Sequence, residues 1–301
     1  MKKLFKLMML TLTLAALFLT ACGSATTSSD GALRVLASTT FLADITQNIA
    51  GDRIEVDSLL PFGADPHAYQ AAPSDVAKIA ESNLLILNGL EYEHFIEPLL
   101  ENAGGERLMI EATAGLSSRE DAGNEHGVDP HMWLDPNRVI TYVENIRDGL
   151  IKIDPEGEET YKANADAYII QLKELDAWIV EQVNGIPAER RLLVTNHEAV
   201  GYFAERYGFE VVGAVIPSLS TDAGTSAKEM SALIEQIKSS GAPAIFLGEV
   251  ENPDLANQIA EETNAKVVDG LYLESLTDGA PAATYIEMMK YNVTSIVNGL
   301  K

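Results

Sequence analysis

The feature that most limits how this chain can fold is a regular alternation of short apolar runs with amphipathic segments, which is interrupted once. The apolar runs are rich in Val, Ile and Leu, as buried strands are. In the segments between them, the apolar residues recur every three or four positions, as on one face of a helix. The predicted strands are residues 33–39, 53–60, 83–89, 107–113, 190–196, 210–216, 244–250 and 266–273. One predicted helix spans residues 91–104, and another begins at Thr225 with a capping box formed by Ser226 and Glu229. Strands that alternate with helices predict mainly parallel sheets covered on both faces.

The interruption lies between residues 137 and 183, where no strand signal occurs. The segment NRVITYVENIRDGLIKI predicts one helix that ends near Asp154-Pro155, and TYKANADAYIIQLKELDAWIVEQVNG predicts a longer one. A helix of about 25 residues spans close to 40 Å, enough to cross from one lobe to another. The fold class is therefore α/β, with two α/β lobes and mainly parallel sheets. The expected division is an N-terminal lobe at 33–154, a linking helix at 155–186 and a C-terminal lobe at 187–301.

The N-terminus predicts secretion. Three lysines in the first six residues precede the apolar run 7–19, which is typical of a signal peptide and too short for a comfortable membrane span. The signal is expected to cover residues 1–21, and a polar tether of small residues follows at 22–32. The sequence Leu-Thr-Ala-Cys at 19–22 resembles a bacterial lipobox, which predicts cleavage before Cys22 and its lipidation. The alternative is an ordinary small-residue cleavage site that happens to contain a cysteine.

Composition excludes some classes of protein. Cys22 is the one cysteine, so no intramolecular disulfide is possible and stability must come from a packed core. The formal charge of −24 becomes −27 once the three lysines of the signal are removed. A protein this acidic offers no basic surface that could bind nucleic acid. We interpret its negative charge as a source of solubility. We expect a monomer outside the cytoplasm, anchored by lipid to the cell membrane, in a periplasm or on a cell surface.

Three histidines follow predicted strands. The chain has five histidines, and two of them occur in the same tripeptide, Asp-Pro-His, at 65–67 and 129–131. His67 and His131 each come after a predicted strand, and His197 directly follows the strand at 190–196. In open α/β sheets ligands bind outside the carboxyl ends of the strands, and the prolines restrict the backbone before two of the imidazoles. The pattern indicates a metal site, although a single loop histidine is more often a surface residue.

A fourth ligand from the second lobe would be a carboxylate. Glu274 and Asp269 are available near the end of the last strand, and Glu249 and Glu251 are lesser candidates after an earlier one. The two remaining histidines, His94 and His126, are interpreted as surface residues.

Four segments together resemble a known family. LLPFGADPHAYQAAPSD, DPHMWLDP, TNHEAVGYFAERYG and LYLESL…YIEMMKYN are similar to motifs of the cluster A-I metal-binding lipoproteins, in the same order and over essentially the whole mature chain. These proteins are the substrate-binding components of bacterial zinc and manganese ABC importers. The resemblance implies two lobes joined by one long rigid helix, a metal held between them, and delivery to an ABC permease and its ATPase.

The resemblance also implies the ligands. The first two family histidines match His67 in GADPHAY and His131 in DPHMWLDP. The third position, which is histidine in zinc-type members and glutamate in manganese-type members, is His197. The acidic fourth position, more often aspartate in the family, is Glu274 in LYLES. Asp65 and Asp129 are candidates for orienting the imidazoles.

The expected cargo is Zn²⁺. Three imidazoles and one carboxylate suit a tetrahedral zinc site, whereas Mn²⁺ prefers more oxygen ligands and lies at the weak end of the affinity order. Fe²⁺ and Co²⁺ would bind more weakly, and Cu²⁺ more tightly. Many zinc-type members have a histidine-rich loop between the first two ligands, and this chain lacks one. Affinity should fall below about pH 6, because only neutral histidine binds metal. Release should need only small movements of the loops at His197 and Glu274.

Three alternatives remain open on the sequence. The first is a manganese-specific member of the same family. The second is a zinc-dependent hydrolase or lyase with three histidine ligands, an open position and Glu274 as general base. The third is an adhesin whose metal only stabilises the fold.

Overall fold

The computed structural model describes residues 32–119, 128–248 and 253–301. Several predictions lie outside the described residues: the signal peptide at 1–21, Cys22 and the tether up to residue 31, His126, Glu249 and Glu251. Within the described ranges, no helix is both long and apolar enough to cross a membrane.

Within the described ranges, eight strands form two four-stranded parallel sheets, one in each lobe. The first sheet has the order β2-β1-β3-β4 and the second has the order β6-β5-β7-β8. The strands are β1 Val35–Ala37, β2 Val56–Ser58, β3 Leu84–Leu87, β4 Leu108–Glu111, β5 Leu192–Thr195, β6 Glu210–Ala214, β7 Ala244–Gly248 and β8 Lys266–Leu271. Each lies within a predicted run, so the prediction of two α/β lobes with parallel sheets is confirmed. The sheet centres, β1 with β3 and β5 with β7, consist almost wholly of buried residues, as expected for parallel strands covered on both faces.

Nine helices in the described residues cover these sheets. They are α1 Thr40–Ala50, α2 Pro73–Glu81, α3 Glu97–Ala103, α4 Pro136–Ile153, α5 Glu158–Asn184, α6 Gly201–Tyr207, α7 Ala227–Ser240, α8 Asp254–Thr263 and α9 Tyr285–Leu300. Local sequence explains several starts. The Ser226 hydroxyl accepts a hydrogen bond from the backbone N–H of Glu229, whose carboxylate accepts one from Ser226 N, so the predicted capping box is present.

The longest helix, α5, joins the two lobes. Its buried side chains recur every three or four residues, as the amphipathic pattern predicted. They are Tyr161, Ala165, Tyr168, Leu172, Leu175, Ile179 and Val183. This apolar stripe packs against α1 and α4 of the first lobe and against α9 of the second. One hydrophobic core therefore runs through both lobes, from Val35 to Leu300.

The predicted helix at 91–104 is wrong over its first half. Regular helix begins only at Glu97, where Pro98 occupies the first turn, and the preceding residues form turns. Leu90 and Glu91 have left-handed backbone angles, φ 59° and 61°, which an α-helix does not accommodate. The buried carboxylate of Glu93 holds this turn in place by accepting hydrogen bonds from the backbone N–H groups of Asn88 and Gly89. The direction of the side chain at position 92 is consequently set by this turn, and not by the geometry of a helix.

Candidate metal centre

Four side chains meet where the carboxyl ends of the two sheets face each other. They are His67, His131, His197 and Glu274, and each offers one ligand atom within 4.8 Å of the others. His67 follows β2 and His131 follows β4, while His197 lies just after β5 and Glu274 just after β8. Each lobe thus supplies two of the four groups. Parallel strands place their following loops at the same edge, which is why residues so distant in sequence converge.

The distances suit a small cation. One carboxylate oxygen, Oε1 of Glu274, lies 3.1 Å from Nε2 of His197, 3.4 Å from Nε2 of His131 and 3.8 Å from Nε2 of His67. Zinc bonds to nitrogen and oxygen of about 2.0–2.2 Å place neighbouring donors of a tetrahedron roughly 3.3–3.5 Å apart. The three separations from Oε1 bracket that edge length, and every pair of donor atoms lies within 4.8 Å. The four donors could therefore close around one ion by small adjustments of their side chains.

The site is buried, and two of its imidazole nitrogens lack a hydrogen-bond partner in the described part of the chain. His131 and His197 are fully buried and Glu274 is 2% exposed, while the side chain of His67 retains 10% exposure. Among the described residues, the Nε2 atoms of His67 and His131 are buried and have no hydrogen-bond partner of normal geometry. A buried polar atom without a partner costs about 1–3 kcal/mol. A bound cation would satisfy both atoms, so the donor set fits a metal ion.

The electrostatics of the cluster also favour a cation. Burial acts to raise the pKa of Glu274, but its contacts with His131, His197 and His67 outweigh burial and hold that pKa well below its usual range. Burial acts to lower the pKa of the His131 imidazole, but Asp129 and Glu274 outweigh it and raise that pKa above its ordinary value. The carboxylate therefore stays ionised, and protons compete with metal for His131.

The two Asp-Pro-His tripeptides hold their histidines differently. Oδ1 of Asp129 accepts a hydrogen bond from the backbone N–H of His131 at 3.0 Å and lies 2.9 Å from Nδ1 of the same ring. Because a carboxylate only accepts, Nδ1 of His131 carries the proton and Nε2 is left with a lone pair that points into the cluster. Asp65 accepts from the backbone N–H of His67 at 2.9 Å, and its other oxygen accepts from the hydroxyl of Thr221 in the second lobe at 2.7 Å. Asp129 thus contacts the ring, and Asp65 orders the loop.

Tyr92 belongs to the site, and sequence reasoning missed it. Its hydroxyl donates a 2.5 Å hydrogen bond to Oε2 of Glu274, across the boundary between the lobes. The side chain is 3% exposed. Burial, followed by the negative charge of Glu274, raises the pKa of Tyr92 well above its usual value, so it remains a donor. No motif marks this residue, because its position depends on the left-handed turn at Leu90 and Glu91.

Two other candidates do not join the cluster. Asp269 lies within β8, is exposed and lies outside the cluster, so the structure does not support it as a ligand. His94 is exposed and lines a cleft of about 470 Å³ that leads to His67. That cleft is bordered by Tyr69 and Tyr92 on one side and by Leu219 on the other. Of the four clustered groups, His67 is the one that lines it.

Comparison with known proteins places this site in a family. Residues 35–299 match the family model described as zinc-uptake complex component A, periplasmic. The chain is 36% identical over 290 residues to the manganese-binding lipoprotein MntA of Halalkalibacterium halodurans, with 95% of each chain covered. It is 32% identical over 309 residues to the manganese ABC transporter substrate-binding lipoprotein PsaA of Streptococcus anginosus, covering 100% of this chain and 99% of that protein.

Solved structures agree with the sequence comparison. The periplasmic zinc-binding protein TroA of Treponema pallidum superposes with a TM-score of 0.83 at 29% identity, over 90% of this chain and 99% of that one. The match to the family model covers both lobes and all four clustered side chains. The hydrolase or lyase alternative is thereby rejected. The chain belongs to the zinc-uptake complex component A family of metal-binding, ABC-transporter substrate-binding proteins, which are solute-binding proteins and not enzymes.

Proposed function

We propose that the protein captures one divalent metal ion, preferably Zn²⁺, between its lobes and delivers it to the permease and ATPase of an ABC importer. The observation that carries the proposal is the convergence of three imidazoles and one ionised carboxylate from both lobes. The ligands in this proposal are His67, His131, His197 and Glu274. A site assembled from two lobes can release its ion when either pair of ligands moves, which suits capture and delivery better than permanent storage.

The preference for zinc rests on the donor set. Three nitrogen donors and one oxygen match the tetrahedral sites in which zinc is held, and zinc binds nitrogen-rich sites far more tightly than manganese does. His197 is the deciding residue, because a carboxylate at that position would give an oxygen-rich site. Burial of the cluster supports the same preference, since a six-coordinate ion would need room for further ligands.

Manganese is the second candidate cargo. The relatives with 36% and 32% identity are named for manganese, and the match covers at least 95% of this chain in both cases. Availability in the cell also influences which ion a site carries, because intrinsic affinity favours zinc over manganese at almost any site of this kind. The ratio of the two affinities is therefore the informative quantity.

The same proposal includes the placement of the protein. Lipidation of Cys22 and a tether at 22–32 would hold the two lobes, at 33–154 and 187–301 on either side of the linking helix at 155–186, at the outer face of the cell membrane. The manganese-binding relatives are named lipoproteins, which supports this arrangement. A single copy of the chain supplies all four candidate ligands, so a monomer is sufficient for binding.

The test is a titration of the metal-free mature protein with Zn²⁺ and with Mn²⁺, each in competition with a chromophoric chelator. We expect tight 1:1 zinc binding, weak manganese binding and a large loss of zinc affinity in His197→Ala. His94→Ala is the matched control, because His94 lines the cleft but lies outside the cluster. A ratio of zinc to manganese affinity no larger than that of the manganese-binding relative MntA, measured in the same way, would refute the preference for zinc. An unchanged zinc affinity in His197→Ala would refute the ligand set.

A further inference from the structure

We propose that Tyr92 determines metal selectivity by holding Glu274 as a one-oxygen ligand, so that the site favours a four-coordinate ion over a six-coordinate one. The inference rests on the proposed metal site and adds a residue that positions one of its ligands. Tyr92 itself would not contact the ion.

The two oxygens of Glu274 have different surroundings. Oε1 faces the three imidazoles at 3.1, 3.4 and 3.8 Å, whereas Oε2 accepts the 2.5 Å hydrogen bond from the Tyr92 hydroxyl. For both oxygens to bind the same ion, Oε2 would have to share its lone-pair electrons between the ion and the phenol. A hydrogen bond to a charged acceptor is among the stronger ones in proteins, so it competes with a second bond from the carboxylate to the ion. The carboxylate is thus biased toward binding through Oε1 alone.

The phenol is held firmly enough to act in this way. The Tyr92 ring lies 5.0 Å from the ring of Trp133 and meets the ring of His67 edge-on at 5.6 Å, centroid to centroid. Its backbone N–H donates to the carbonyl of Gly89, at the start of the left-handed turn. The donor is therefore fixed by the first lobe, while Glu274 comes from the second. The side chain of glutamate is longer than that of aspartate, and Tyr92 supplies the hydrogen bond that fixes the second carboxylate oxygen of Glu274.

Coordination number links this contact to selectivity. Zinc is satisfied by three nitrogens and one oxygen. Manganese prefers additional oxygen ligands, and the second oxygen of a carboxylate is the nearest source in a buried site. Withholding Oε2 removes a donor that manganese needs and zinc does not. Tyr92 should consequently lower affinity for manganese more than affinity for zinc.

The test compares Tyr92→Phe with the wild-type protein. Its first readout is the ratio of Zn²⁺ to Mn²⁺ affinity from chelator competition, and its second is the visible spectrum of the Co²⁺ complex, whose bands are intense in four-coordinate sites and weaker at higher coordination number. We expect the ratio to fall by about tenfold, the factor that corresponds to one charge-assisted hydrogen bond. We also expect the Co²⁺ bands to lose intensity as Oε2 becomes a fifth donor.

Two matched controls remove a hydroxyl elsewhere in the core. Tyr168→Phe deletes a buried hydroxyl that has no hydrogen-bond partner among the described residues. Tyr207→Phe deletes the hydroxyl of a buried tyrosine that donates to Oδ1 of Asp176 at 3.0 Å, so it matches the loss of a hydrogen bond to a carboxylate without touching Glu274. Both should keep the wild-type affinity ratio and the wild-type Co²⁺ spectrum. A change of the same size in Tyr207→Phe would overturn the proposal, because it would indicate a general effect of loosened packing.

The remaining outcomes separate this inference from the proposed function. If the wild-type protein binds neither Zn²⁺ nor Co²⁺ at 1:1, the proposed function fails. If it binds both and Tyr92→Phe keeps the same ratio and spectrum, the role of Tyr92 alone is refuted. X-ray absorption of the zinc-loaded wild-type protein gives a measurement that does not depend on folding of the variant. Three nitrogens and one oxygen are expected around zinc, and five or more donors would overturn the inference.

Discussion

Replacing the same aspartate in the two Asp-Pro-His tripeptides should have unequal effects on metal binding. Asp129→Asn is expected to weaken zinc affinity, whereas Asp65→Asn is expected to leave it nearly unchanged. Asp129 contacts both the backbone N–H and Nδ1 of His131, while Asp65 contacts only the backbone N–H of His67 within its own tripeptide. The two changes are chemically identical and occur in the same local sequence, so each serves as the control for the other.

The magnitude follows from what the substitution removes. In Asp129→Asn the side-chain amide oxygen can still accept both hydrogen bonds of His131, so the ring keeps its orientation and loses only the adjacent negative charge. That charge helps to raise the pKa of His131, which measures the basicity of the metal-binding nitrogen. Loss of such a supporting carboxylate typically weakens metal binding about 10–100-fold, or roughly 1.4–2.7 kcal/mol. In Asp65→Asn the amide can still bond to His67 N and Thr221, and the effect should stay below about tenfold.

The assay is chelator competition at one pH and ionic strength, with thermal unfolding of each metal-free variant as a check on folding. That check matters because Arg119 also approaches Asp129, at 3.6 Å, and its ion pair weakens in Asp129→Asn. Equal losses in the two variants, or a larger loss in Asp65→Asn, would refute the reasoning. So would an Asp129→Asn variant that binds zinc as tightly as the wild-type protein.

Three further outcomes are expected. Zinc affinity should fall with decreasing pH from above the ordinary histidine value of about 6.5, because the raised pKa of His131 lets protons compete earlier; titrations from pH 8 to pH 5 would test this. Burial raises the pKa of Asp44 from 3.8 to about 6, so the folded state keeps a proton that the unfolded chain has released. The contribution of Asp44 to the unfolding free energy should therefore drop by about 2 kcal/mol as pH rises from 4 to 7, and urea melts of Asp44→Asn should show a total drop that is smaller by that amount. Zinc at 100 times its dissociation constant should add about 2.7 kcal/mol to the stability of the wild-type protein, measured as a thermal shift that disappears in His197→Ala.

Much of the fold could be predicted because its signals are local and periodic. The stripe of Tyr161, Ala165 and Tyr168 through Val183 repeats at helical spacing, and burial of that stripe is what fixes α5 in place. The meeting of His67, His131 and His197 needed one further rule, that parallel strands present their carboxyl ends at one edge, whereas the choice of Glu274 over Asp269 came from the family resemblance. Both rules use only the order and spacing of residues in the sequence, so they can be applied before any tertiary contact is known.

The parts that could not be predicted depend on contacts between distant segments. The turn before α3 exists because the Glu93 carboxylate accepts hydrogen bonds from Asn88 N and Gly89 N, and helix propensity alone does not reveal this. Position 92 was consequently assigned to a helix face, and its contact with Glu274 could not be anticipated. The two tripeptides are also identical in sequence, and only the folded chain distinguishes an aspartate that contacts a ring from one that contacts the opposite lobe.

Contacts between the lobes limit how the ion can be released. The hydroxyl of Ser275, next to Glu274, accepts a hydrogen bond from the backbone N–H of Gly63 at 2.8 Å, and the Thr40 hydroxyl accepts one from Leu276 N at the same distance. The indole N–H of Trp133 also donates across the boundary, at 2.9 Å, to a backbone carbonyl of the second lobe. These contacts lie beside the metal site, and α5 ties the lobes together along their shared core.

A wide opening of the lobes would break all of these contacts at once and expose part of that core. A shift of the loop that carries Glu274 would also break the contacts that residues 273–276 make. It would leave the core shared by the two lobes buried, however, so we expect release to proceed through local shifts of the loops that carry His197 and Glu274. Solution scattering of the metal-free and zinc-loaded protein should then give nearly the same radius of gyration, while hydrogen exchange should change mainly in those two loops. A large difference in scattering between the two states would mean that the lobes rotate as rigid bodies and that these contacts do not restrain them.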